Sequence, residues 1–132
     1  MYIRFQSPTA NARGVHPGIF ALVNGLAAEG SLSPEEERLR VEGNAWFEAH
    51  FTDPSTVDAL VYDRELNPGA VAWFRDSSAE LVARASGYLA VLKAHGVPCA
   101  KVASENPGRI VYEDADQIVV VPENEKRAAT PA

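Results

Sequence analysis

AVAWFR, residues 70–75, can be read as helix or strand, and the architecture of the whole chain turns on which it is. The residues behind it tip the balance. Asp76 or Ser77 with Glu80, the second pair at capping-box spacing, makes a fresh helix start directly behind Arg75 and leaves the six residues as a strand. The helix behind them carries Leu81, Val82, Ala85, Tyr88, Leu89 and Leu92 on one face, from about Ser77 to His95. Gly96 and Pro98 end it, as a C-terminal glycine and a following proline do.

Upstream, Tyr2 to Gln6 alternates with period two, placing Ile3 and Phe5 on one side and Tyr2, Arg4 and Gln6 on the other. Ser7 to Gly18 is a loop. Leu22, Ile19, Val23 and Leu26 have helical spacing, which predicts a helix from about Pro17 to Ala28. Ser33-Pro34-Glu35-Glu36 is a second capping box, opening a helix whose stripe of Leu39, Gly43, Trp46, Phe47 and His50 runs to about Phe51. The two helices are expected to form an antiparallel pair. Thr52 to Gly69 is rich in turn formers, with room for a short helical turn after Pro54.

Downstream, Cys99 to Ala103 reads as a strand and Asn106-Pro107-Gly108 as a turn. Arg109 to Tyr112 then pairs with Gln117 to Val121 across Glu113, Asp114, Ala115 and Asp116. The order β-α-α-β-α-β-β-β describes an α+β fold, a two-layer mixed sheet of about five strands on about three helices. Ala70 to Ala103 is a candidate βαβ crossover. Residues 1–122 are expected to make one domain, and 123–132 a polar, frayed tail.

Size and composition fit a folded core: 132 residues, 46% apolar and 23% charged, bury roughly two thirds of the unfolded surface. Twelve basic against 18 acidic residues leave a formal charge of −6, which disfavours nucleic acid and anionic membranes as partners. A single cysteine, Cys99, excludes an intramolecular disulfide and a cysteine-clustered zinc site, and its neighbours Val97 and Ala100 make it a packed thiol. With no run of about 18 apolar residues and no basic, apolar leader in MYIRFQSP, the expected location is cytoplasmic.

IRFQSP near the start, AVAWFR before the third helix, LKAHGVP at that helix's end and PGRIVYEDADQIVVVP together carry a resemblance. The chain resembles a family of short bacterial proteins of no assigned activity, which pair an aromatic WF-Lys/Arg strand with a closing PG-x-IVYED-x-x-Q segment. The resemblance spans Tyr2 to Pro122 loosely, and its specific part is Trp73-Phe74-Arg75 and Pro107 to Gln117. It implies a strand at Ala70 to Arg75 and marks no residue as catalytic.

Strand alternation also predicts a functional surface. If Ile3, Phe5 and Phe74 face the helices, then Tyr2, Arg4, Trp73 and Arg75 emerge together on an open sheet face, with Arg109 or Tyr112 nearby. Aromatic and arginine side chains join apolar area to a directional polar head, so the expectation is a non-enzymatic interaction module that self-associates or binds a protein there. The alternative is an enzyme or small-ligand binder that holds an anionic or planar ligand with Arg4, Arg75, Tyr112 and Glu113. A plain surface of salt-bridged side chains competes with both.

Tyr112-Glu113-Asp114 reads as a wet hairpin turn before it reads as an acid/base centre. Gly25 to Glu36 has part of a calcium-loop spacing, but Gly25 and Ala27 stand where the ion needs oxygen ligands. His16, His50 and His95 lie in separate elements, and no nucleophile or cofactor motif is present. Asn11 to Gly18, with Arg13 and His16 before a helix start, is either a plain surface loop or an anion contact.

Overall fold

The computed structural model of the chain describes residues 1–122, so the expected tail at 123–132 lies outside the described residues. In chain order the elements are β1 (Tyr2–Gln6), α1 (Ile19–Ala28), α2 (Pro34–His50), α3 (Pro54–Val57), β2 (Val71–Arg75), α4 (Ala79–Ala94), β3 (Ala100–Ser104), β4 (Arg109–Glu113) and β5 (Gln117–Val121). AVAWFR is a strand from Val71 on, and the fold is α+β. The five strands form one sheet in the order β3-β1-β2-β5-β4. The β2-α4-β3 crossover therefore does not join neighbours, because β1 is inserted between them.

The capping box of α2 is complete. Ser33 Oγ accepts from Glu36 N at 3.1 Å, and Glu36 Oε1 accepts from Ser33 N at 2.9 Å. Glu35, Glu36 and Glu37 also favour the positive end of the helix dipole. The same Glu36 oxygen lies 2.8 Å from His95 Nε2 at the end of α4, a contact across 59 residues that a local reading does not reach. That hydrogen bond comes first among those that hold the Glu36 carboxyl below its ordinary value. The capping box expected for α4 does not form: its N-cap is Ser78, whose side chain does not cap the helix. The residues before it serve the sheet instead, with Asp76 N donating to Met1 O at 3.1 Å.

The chain falls into two compact units. One comprises Phe5–Thr52 and Ser78–Val102. In it α1 and α2 both pack on α4, which buries Leu81, Ala85, Tyr88, Val91 and Leu92. Tyr88 is 2% exposed and its hydroxyl donates to Asn44 Oδ1 at 2.8 Å. Burial pushes that hydroxyl's pKa up to about 12. A Cβ at Gly43 would stand 2.9 Å from Tyr88 Cζ, so glycine is what admits the ring.

The other unit comprises Met1–Arg4, Asp53–Ser77 and the described residues from Ala103 on. β1 pairs with β2, β2 with β5 and β4 with β5, all antiparallel. Interior in this ladder, β5 has Ile118, Val119 and Val120 at 0% exposure. Successive residues of a strand point to opposite faces, so both faces are covered there. The expectation of one open sheet face fails over β5. Its run Ile118-Val119-Val120-Val121 is continuously apolar, the pattern of a strand buried on both sides.

Candidate functional site

Tyr2 lies opposite Arg75, Ile3 opposite Phe74, and Trp73 opposite Ile118. Alternate residues share a face, so Tyr2, Arg4, Trp73 and Arg75 do come to one side, as expected, and all four are half-buried. Glu113, opposite Ile118, joins them. Arg109 and Tyr112 do not: they sit opposite Val121 and Val119, on the other face. An irregularity between Ile110 and Tyr112 causes the split, since plain alternation would keep Arg109 and Glu113 together.

Both arginines of this face have intramolecular partners. Arg4 Nη1 donates to Ala72 O at 2.9 Å. Arg75 Nη2 donates to Glu113 Oε2 at 2.6 Å, Nε donates to Asp114 O at 3.0 Å, and the guanidinium carbon stands 5.6 Å from the Tyr2 ring centre. Glu113 is exposed, so the ion pair contributes about 0 to 1 kcal/mol. Its geometric role is larger: it pins β2 to the hairpin tip.

Asp114 is that tip's organiser. Its Oδ1 accepts from Asp116 N at 2.8 Å and Gln117 N at 3.0 Å, while Oδ2 accepts from Tyr112 Oη at 2.7 Å and Gln117 Nε2 at 3.2 Å. Burial opposes its ionisation, yet these four hydrogen bonds outweigh it and hold the carboxyl below its ordinary value. The Asp114 bond leads in pushing the Tyr112 hydroxyl up to about 12. An acid/base pair working near neutrality needs its pKa values moved toward neutrality, and here both move away. Tyr112 and Glu113 end β4, and Asp114 opens the hairpin turn.

The folded-state pKa of Asp114 lies below its ordinary value of 3.8, so its contribution to stability is complete above 3.8 and is lost as pH falls through the folded value. Asp114→Ala is expected to lower unfolding free energy by about 1 to 3 kcal/mol at neutral pH. The gap from wild type should narrow below 3.8 in urea unfolding curves. A gap that stays constant down to low pH counts against this role.

The remaining candidates are spent locally. His50 Nδ1 is 2.8 Å from Trp46 O, and its ring stacks on Trp46 at 4.3 Å. His16 Nδ1 is 2.9 Å from Ser7 O. In the Asn11 to Gly18 loop, the amides of Arg13 and Val15 both donate to Asn11 Oδ1 and are turned into the loop. Cys99 is a half-buried thiol outside any disulfide. Among the described residues no group of three or more His, Cys, Asp or Glu side chains could hold a metal ion, and no helix is long and apolar enough to cross a membrane.

Two depressions bear on ligand binding. One of about 460 Å³ in the β2 unit is lined by Met1, Tyr2, Arg75, Asp76, Ser77 and Glu105. Its cations face carboxylates of the same chain, Met1 N standing 3.7 Å from Asp76 Oδ2. The other, about 510 Å³ in the helical unit, has Gly43, Gly87, Phe47 and Tyr88 in its lining. Arg84 also lines it and sits 4.0 Å over the Trp46 ring.

A set of residues outside the expected site stands out on exposure. Val57, Leu60, Tyr62 and Leu66 are 66%, 53%, 42% and 58% exposed, all within ten residues. The backbone explains why Val57, Leu60 and Leu66 face outward, whereas Tyr62 is exposed along its ring and burial of its hydroxyl raises its pKa. Asp53 Oδ1 accepts from Ser55 N, Asp58 Oδ1 from Leu60 N, and Asp63 Oδ1 from Glu65 N and Leu66 N, each closing a tight turn. Three turns in succession cannot aim every apolar side chain inward, and Val61 alone among these is fully buried. The signal was in the sequence as large apolar residues alternating with turn-forming aspartates. Compared with protein-family models, with curated proteins and with solved structures, the chain matches none.

Proposed function

We propose that the chain is a small non-enzymatic interaction module that binds a protein through the unit holding β2, β4 and β5. One observation carries this. Of the seven large apolar residues exposed among the described residues, six belong to that unit: Met1, Val57, Leu60, Tyr62, Leu66 and Ile110. Apolar exposure scattered over a surface is ordinary, whereas its concentration on one part of a molecule marks interaction sites. The Arg/aromatic face in the same unit supports the reading differently from the sequence expectation. Arg4 and Arg75, bonded to Ala72 O and Glu113, stiffen the sheet, and the contact surface shifts to residues 57–66.

The small-ligand alternative has less support, because both its arginines have partners and Tyr112 faces away from Glu113. A paired test separates the readings. Leu60→Ser with Leu66→Ser changes only exposed side chains, so unfolding free energy should stay within about 0.5 kcal/mol per site. Cross-linking capture from cell extract, scored by mass spectrometry, is expected to show a protein held by wild type and lost by the double variant. Identical capture profiles for the two chains would remove the proposal.

A further inference from the structure

We infer that residues 57–66 dock a basic, amphipathic segment of another protein rather than a second copy of this chain. The inference rests on the interaction-module reading and adds the chemistry of the partner. Charge is distributed unevenly. The unit holding β2, β4 and β5 has nine acidic against four basic side chains among its described residues, a balance of −5 within a chain whose total is −6. The other unit has seven acidic against six basic, a balance of −1.

The excess reaches into the exposed apolar segment itself. Asp53, Asp58, Asp63 and Glu65 stand among Val57, Leu60, Tyr62 and Leu66, and Arg64 is the one base between Asp53 and Gly69. The three aspartates are fixed in place by the backbone amides they accept from. A second copy meeting this segment through a two-fold contact would set aspartates against aspartates, and like charges brought together at an interface cost binding energy. A lysine- or arginine-bearing segment reverses that sign. Its long alkyl stems cover leucine and tyrosine while its charged heads reach the surrounding carboxylates. Apolar centre and charged surround then match the usual anatomy of a protein interface.

The test uses the full chain and three labelled peptides of about 18 residues, or five helical turns. The first places leucines on one helical face and lysines on the other, the second replaces lysine by glutamate, and the third replaces leucine by serine. Fluorescence anisotropy is expected to show binding of the Leu/Lys peptide alone, weakening with added salt. Affinity should fall by roughly tenfold or more in Leu60→Ser/Leu66→Ser and by less in Val57→Ser, with circular dichroism confirming the fold. Equal binding of the Leu/Glu peptide, lost in the double variant, keeps the docking surface and overturns the basic partner. Binding of the Lys/Ser peptide as tightly as Leu/Lys, or Leu/Lys binding untouched by the double variant, reduces the effect to bulk charge and overturns the inference. So does failure of every peptide to bind. A sedimentation dimer abolished by the double variant puts a second copy on the surface, which overturns the inference and leaves the interaction module standing.

Discussion

Tyr88→Ala is expected to lower the unfolding free energy by about 3 to 5 kcal/mol, the range for deleting a large buried aromatic ring. The ring is 2% exposed, meets Phe20 edge-on at 5.2 Å and Phe47 at 6.0 Å, and is hydrogen-bonded to Asn44. Gly43 beside it has no side chain to move into the hole. Domains of this size are stable by about 5 to 15 kcal/mol, so the loss is a large fraction of what holds the helical unit together. Tyr88→Phe keeps the ring and removes only the hydroxyl, and should cost about 0.5 to 1.5 kcal/mol. Urea unfolding monitored by the fluorescence of Trp46, in the same unit, measures both. A Tyr88→Ala cost no greater than that of Tyr88→Phe would show that the ring is not a keystone of this unit.

Gly108→Ala is the second large effect, at about 2 to 4 kcal/mol from backbone strain and overpacking together. Gly108 adopts φ of +158°, and a Cβ there would lie 2.9 Å from Val121 C and 3.1 Å from Pro122 Cα. These are backbone atoms at the end of a buried strand, and Val121 is paired with the adjacent Arg109, so neither side can yield cheaply. Gly30→Ala is the control. It sits at φ of +73° with nothing within 4 Å of an added Cβ, so only the conformational cost of about 1 to 2 kcal/mol applies. Equal thermal destabilisation by the two substitutions would refute the close-approach argument.

What the sequence disclosed was mostly local. Ser33 and Glu36 announce a helix because their hydrogen bonds close within four residues, and both bonds are present. Asp114 announces a turn for the same reason. The strand at Val71–Arg75 followed from its neighbours, although the capping box invoked behind it is absent and the helix starts instead from Ser78. Tertiary relations were less visible. Nothing near His95 indicates Glu36 as its partner, and no residue type flags the irregularity that turns Arg109 and Tyr112 away from Trp73. The coverage of β5 was legible in its unbroken Ile118 to Val121 run, but assuming a single buried face hid it. The exposed residues 57–66 were hidden for a related reason: apolar side chains there look like core until three aspartate turns are seen to aim them outward.

The position of β5 also constrains synthesis. It emerges from the ribosome after both strands it separates, β2 and β4, yet contributes the hydrogen-bonding partner of each. Until Gln117 to Val121 is released, the Val71–Arg75 strand has one unpaired edge and a nascent chain would expose Trp73 and Phe74 beside it. The helical unit has no such dependence on β5, since its residues are complete by Val102. The interval between those two points is when a stalled ribosome would hold this protein at its most prone to aggregate.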